Sequence, residues 1–136
     1  MKRWLFDLAR VALGLCLQVL GLWAALAFMP LSDEFEAFGP SSLVAVVAIL
    51  AATGGLAGWV ARRYVLAPAL LLLWLAWAAF IGLDQWSDVK LGEGTYFDGV
   101  VRHAAMIAAT SVALAAGVLS GYRRARRSWP ATAAAG

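Results

Sequence analysis

The sequence predicts an all-α polytopic membrane protein: four transmembrane helices in an antiparallel bundle, with both termini on the cytoplasmic side. Three observations predict it. Across 136 residues the chain is 63% hydrophobic and 14% charged, with a mean hydropathy of +0.79, far from a globular average. Residues 11–32, 37–61, 64–83 and 103–122 contain no Asp, Glu, Lys or Arg. The 11 bases and 8 acids fall in the segments between and outside these runs, and they are sorted by sign.

A helix needs roughly 20 mostly apolar residues to cross a hydrocarbon core of about 30 Å. The four spans are accordingly placed at about 11–29, 43–61, 65–83 and 104–121, in a single domain over residues 1–127, with 128–136 as a flexible cytoplasmic tail. In the first span, Arg10, Gly14, Gln18, Gly21 and Ala25 follow a four-three spacing that puts them on one side, with Gln18 near the bilayer midplane. A buried primary amide needs partners, because an unsatisfied polar group in hydrocarbon costs several kcal/mol. Thr53, Thr110 and Ser111 are the candidates. Ala25-Leu26-Ala27 also has the small-x-small pattern of a signal-peptidase site, but the apolar run is longer than a usual signal core.

The first outer loop, LSDEFEAFGPSS, reads as a short surface helix capped by Ser32, favoured at its N-terminus by Asp33 and Glu34, and closed by Gly39-Pro40. Phe35 and Phe38 would dip into the interface. Only Arg62, Arg63 and Tyr64 separate the second span from the third, which forces a helical hairpin. Pro68 falls in the first turn of the third helix, where the missing N–H is tolerated. The second span carries Ala51 with Gly55 and Gly54 with Gly58, and the fourth carries Ala105, Ala109, Ala113, Gly117 and Gly121. Such small-xxx-small stripes let helices approach closely, either inside one monomer or between copies.

Orientation follows from charge. With the N-terminus inside, the inner side holds Lys2, Arg3, Arg10, Arg62, Arg63, Arg123, Arg124, Arg126 and Arg127 with one acid, Asp7. The outer side holds the seven remaining acids with Lys90 and Arg102. Nine bases inside against two outside is a strong positive-inside bias, that of a multi-pass bacterial inner-membrane protein. Membrane lipids are the expected partners of these arginines, with no role in nucleic-acid binding. Trp4, Trp59 and Trp129 belong to the inner aromatic belt and Trp86 to the outer one, while Trp23, Trp74 and Trp77 sit deeper.

Chemistry-bearing residues are sparse. One cysteine cannot form a CxxC pair and one histidine cannot supply two haem ligands, so no cofactor is expected. The stretch 80–106 collects Asp84, Asp88, Glu93, Asp98 and His103, oxygen and imidazole groups that suit a divalent cation. Without a recognised ligand spacing they read as the wet outer face, with His103 at the headgroup boundary and Gly92 and Gly94 marking a turn. The helix count resembles that of small multidrug exporters. That family uses an ionisable glutamate in its first helix where this chain has Gln18, so proton exchange there has no support.

The expected function is that of an accessory or assembly subunit acting through helix packing, within a homo-oligomer or a larger membrane complex. The candidate packing or polar-lining residues are Gly14, Gln18, Gly21, Gly54, Gly58, Ala109, Ala113 and Gly117. The alternative is an oligomeric channel or transporter for a small solute or ion. A third reading, an enzyme acting on lipid at the outer face, would rest on Asp84, Asp88 and His103, with nothing to activate a nucleophile beside them.

Overall fold

Long runs of Leu, Ala and Val with few interior breakers favour helix, and in hydrocarbon every backbone N–H and C=O must be satisfied within its own segment. A computed structural model describes residues 2–27 and 40–128, and among these it is all-helical. The elements are α1 (Lys2–Leu26), α2 (Pro40–Ala61), a 3₁₀ turn (Arg62–Val65), α3 (Leu66–Asp84), the short α4 (Trp86–Leu91) and α5 (Tyr96–Ser128). Four of these, α1, α2, α3 and α5, are long and apolar enough to cross a membrane. The expected surface helix around Ser32, Phe35 and Phe38, the end of the first span and the tail beyond Ser128 lie outside the described residues.

The longest helix departs most from expectation. α5 has 33 residues and therefore runs about 50 Å, well over the roughly 30 Å of hydrocarbon. Its extra turns, Tyr96 to Arg102 and Arg123 to Ser128, carry all the charges of the helix, so they extend it into water on each side of an apolar middle. The start of α5 is set by a reciprocal cap: Asp98 Oδ2 accepts from the Thr95 backbone N–H at 2.8 Å and from its hydroxyl at 2.7 Å. The Thr95 Oγ1 in turn accepts from the Asp98 N–H at 3.4 Å.

Two turns rest on left-handed backbone. α4 ends at Gly92, with φ 73°, where Glu93 N–H donates to Asp88 O at 2.9 Å and Gly92 N–H to Val89 O at 3.2 Å. This closes the helix as a Schellman motif. Arg62, at φ 59°, makes the break between α2 and the 3₁₀ turn. A side chain in that region costs about 1–2 kcal/mol, which the short hairpin imposes on Arg62.

Lipid tails solvate exposed Leu about as well as protein does, so helices in a bilayer associate through close packing and hydrogen bonds. The closest pair is α2 with α5. A Cβ added at Gly117 would overlap the Ala51 carbonyl, one at Gly121 the Gly55 carbonyl, and one at Gly58 the Val118 carbonyl. A Cβ added at Gly54 would stand 2.9 Å from a Leu114 methyl. The residue numbers in these α2–α5 pairs rise together. Between α1 and α2 they run oppositely: a Cβ added at Gly14 would stand 2.9 Å from that of Ala61, whereas one at Gly21 would overlap the Thr53 side chain. The same holds for α3 and α5, where Trp77 meets Thr110 and Ile81 meets Gly99. The core that results includes Val46, Leu50, Ala57, Val65, Leu73, Leu114 and Val118.

Candidate functional site

The side of α1 marked by the four-three spacing is the side that packs: Gly14, Gln18, Gly21 and Ala25 are all buried. Arg10 is half-buried one turn earlier, with its guanidinium 4.8 Å from the centre of the Phe6 ring. Gln18 is fully buried at 0% exposure, and neither its Oε1 nor its Nε2 has a hydrogen-bond partner. Its three expected partners are engaged elsewhere. Thr53 Oγ1 donates to Ile49 O at 2.8 Å, Thr110 Oγ1 to Met106 O at 2.7 Å, and Ser111 Oγ to Ile107 O at 2.6 Å. Ser and Thr in apolar helices turn back on their own preceding turn because that carbonyl is the nearest acceptor.

The hydroxyls of α5 also serve α3. Trp77 Nε1 donates to Thr110 Oγ1 and Trp74 Nε1 to Ser111 Oγ, each at 3.1 Å. Although they lie three residues apart on α3, the two tryptophans differ in burial. Trp77 is buried and Trp74 is exposed. Trp77, Thr110, Leu22, Val46, Leu50 and Leu73 line a small, almost wholly apolar cavity of about 40 Å³, a volume that admits little more than a water molecule or a methyl group.

At the α4 end of the bundle, Asp84 and Asp98 bond to separate partners. Asp84 Oδ2 accepts from Gln85 Nε2 at 2.8 Å, and Asp98 belongs to the helix cap with Thr95. Asp98 lies in the exposed first turn of α5, ahead of the apolar run. Hydrogen bonds from the Thr95 hydroxyl and backbone, helped by the charge of Arg102, hold its carboxyl below the usual range. Asp88 is half-buried in α4, and Glu93 is exposed at its end. Among the described residues no three His, Cys, Asp or Glu side chains come together as a metal site.

His103 differs from its expected place at the headgroup boundary. It is 3% exposed, two turns inside α5, and its ring lies 5.7 Å from that of Phe80 and 5.9 Å from that of Trp77. Its Nδ1–H donates to Gly99 O at 2.9 Å. Adjacent Arg102 suggested a boundary from sequence, but helix rotation sends the two side chains in different directions, one outward and one onto α3. The imidazole is thus a packing group among aromatic rings, and its carboxylate neighbours in sequence face other partners.

Sequence reasoning missed Gln85, which is 2% exposed. Its Cγ fills the space over Gly99, 2.7 Å from where a Cβ would stand, and so locks the C-terminal end of α3 against the start of α5. No local pattern marked it, since its burial depends on the register between two helices. The Thr95-Asp98 cap did have a signal, the Thr-x-x-Asp spacing before an apolar run.

The small-residue stripes meet each other inside the chain. Gly54, Gly58, Ala113 and Gly117 are buried, Ala109 is half-buried and Ala105 is exposed. A four-residue step overshoots a 3.6-residue turn by about 40°, so the five-member ladder rotates out of the seam at its N-terminal end. No family model matches this chain, and neither a curated protein nor a solved structure matches it.

Proposed function

We propose that the chain is a multi-pass protein of a bacterial inner membrane, an antiparallel four-helix bundle with both termini cytoplasmic. It works as an accessory or assembly subunit by packing an outer helix face against another membrane protein. The alternating registers of α1 with α2 and of α3 with α5 support the up-and-down path. The nine-to-two distribution of bases supports the orientation.

One observation carries the role as a subunit. Small residues and hydroxyls are engaged within the monomer, while α1 offers the most free surface. Only 17% of its apolar window is buried, against 33% for α5, and Leu13, Leu20 and Trp23 are exposed along it. Extraction of the full chain in mild detergent, with native mass determination, tests this. The expected result is a second membrane protein held in fixed ratio and released by Leu13→Ala with Leu20→Ala. A closed oligomer of this chain alone would contradict it.

The solute-path reading is favoured by one observation, the unpartnered amide of Gln18 at the midplane. In that reading copies of the chain assemble around a polar path, and Gln18→Leu abolishes flux through reconstituted vesicles while leaving assembly intact.

A further inference from the structure

A furrow of about 390 Å³ runs along the outside of the α2–α5 pair, lined by Ala51, Ala52, Gly55, Leu56, Trp59, Ser120, Gly121 and Arg124. The volume lies within the roughly 300–1,000 Å³ of ligand pockets. Its lining is graded. Ala51, Ala52 and Gly55 form an apolar floor at one end, and Trp59, Ser120 and Arg124 stand at the other. From Ala51 to Trp59 the helix rises about 12 Å, close to the roughly 15 Å of one leaflet's hydrocarbon. The furrow therefore has the length and polarity of half a bilayer, with the polar end at the headgroup level.

Charge identifies the occupant. Arg124 lines that polar end, Arg123, Arg126 and Arg127 are its neighbours in sequence, Arg62 directly follows α2, and no acidic residue follows Asp98 in the sequence. Asp7 is the single acid assigned to this side, so the excess of positive charge favours an anion from outside the chain. Ser120 Oγ donates to Gly117 O at 2.8 Å, which leaves its lone pairs facing outward for a hydroxyl donor. The indole of Trp59 is 54% exposed at the depth where aromatic side chains meet glycerol and phosphate. The geometry points to a binding site for one anionic phospholipid of phosphatidylglycerol type. An acyl chain lies on the Ala51-Gly55 floor, the phosphate pairs with Arg124, and a headgroup hydroxyl meets Ser120. The inference uses the membrane reading and not the proposed subunit role, so failure of one leaves the other standing.

The test is lipid titration of the full-length protein in mild detergent, read by native mass spectrometry. Phosphatidylglycerol is compared with phosphatidylcholine for the unaltered chain and for three variants. Arg124→Gln removes the cation, Ala52→Phe fills the furrow from an exposed position, and Arg126→Gln removes a neighbouring charge that does not line it. One phosphatidylglycerol is expected per chain, in preference to phosphatidylcholine, weakened about fivefold or more by Arg124→Gln and by Ala52→Phe, and unchanged by Arg126→Gln. Equal losses with Arg124→Gln and Arg126→Gln would overturn the site in favour of diffuse attraction. So would displacement of the lipid by millimolar inorganic phosphate, or binding unaffected by Ala52→Phe. A protein dimer lost in Ala52→Phe would assign the furrow to a second copy and overturn the lipid.

Discussion

Gln18 is the residue whose chemistry fits its place least well. An amide buried without partners forfeits about 1–3 kcal/mol of solvation, and leucine has nearly the same volume. Gln18→Leu is expected to stabilise the protein by about that amount, read as a raised unfolding midpoint in detergent. A loss of stability would show that the amide is bonded in the native membrane. Gly92 presents the opposite case, because an added Cβ there meets nothing within 4 Å and the whole cost is backbone. Gly92→Ala should cost about 1 kcal/mol, seen as roughly fivefold faster hydrogen exchange of the Glu93 amide with the rest of the bundle unchanged. Both sites show what sequence can and cannot give. The burial of Gln18 was legible in the spacing of Gly14, Gly21 and Ala25 around it, and Gly92 was legible as a turn. The failure of Thr53, Thr110 and Ser111 to reach the amide was not legible, because each hydroxyl has a nearer acceptor on its own helix.

Among the elements, the α2–α5 pair sets how closely everything else packs. Its contact is backbone against backbone at Gly58, Gly117 and Gly121, and their glycine spacing was visible in sequence, but which stripe met which was not. That information lies in the register between segments about sixty residues apart. Gly117→Val should separate the two helices at a cost of about 1–3 kcal/mol or more, measured as a lower midpoint of unfolding in detergent. Gly55→Ala, whose Cβ would stand 3.7 Å from the Gly117 carbonyl, should be tolerated. Equal effects from the two would mean that the seam is not the tight contact. The overlong α5 and the depth of His103 follow the same logic. The charges of Asp98 and Arg102 ended the apolar count at residue 103, yet a helix continues through them into water, carrying the imidazole onto Trp77 and Phe80.

For the whole molecule, the four long apolar helices follow from composition, since the charge-free runs leave no room for a separate soluble domain. Handedness of the path and the choice of side depend on loops and on charge. Only Arg62, Arg63 and Tyr64 separate the second and third charge-free runs, and the segregation of arginine supports the proposed side. Removing that segregation should scramble insertion: the combined Arg62→Gln, Arg63→Gln, Arg123→Gln and Arg124→Gln variant is expected to yield mixed orientations. Protease accessibility in sealed inverted vesicles checks this, and a uniform pattern like that of the unaltered chain would count against it. The central claim, a four-span chain with both ends on the arginine-rich side, is tested most directly by a reporter that is active only in the periplasm. Fused after Gly136 it should be silent, and inserted after Glu93 it should be active. An active fusion after Gly136 would contradict the orientation and the four-span path together.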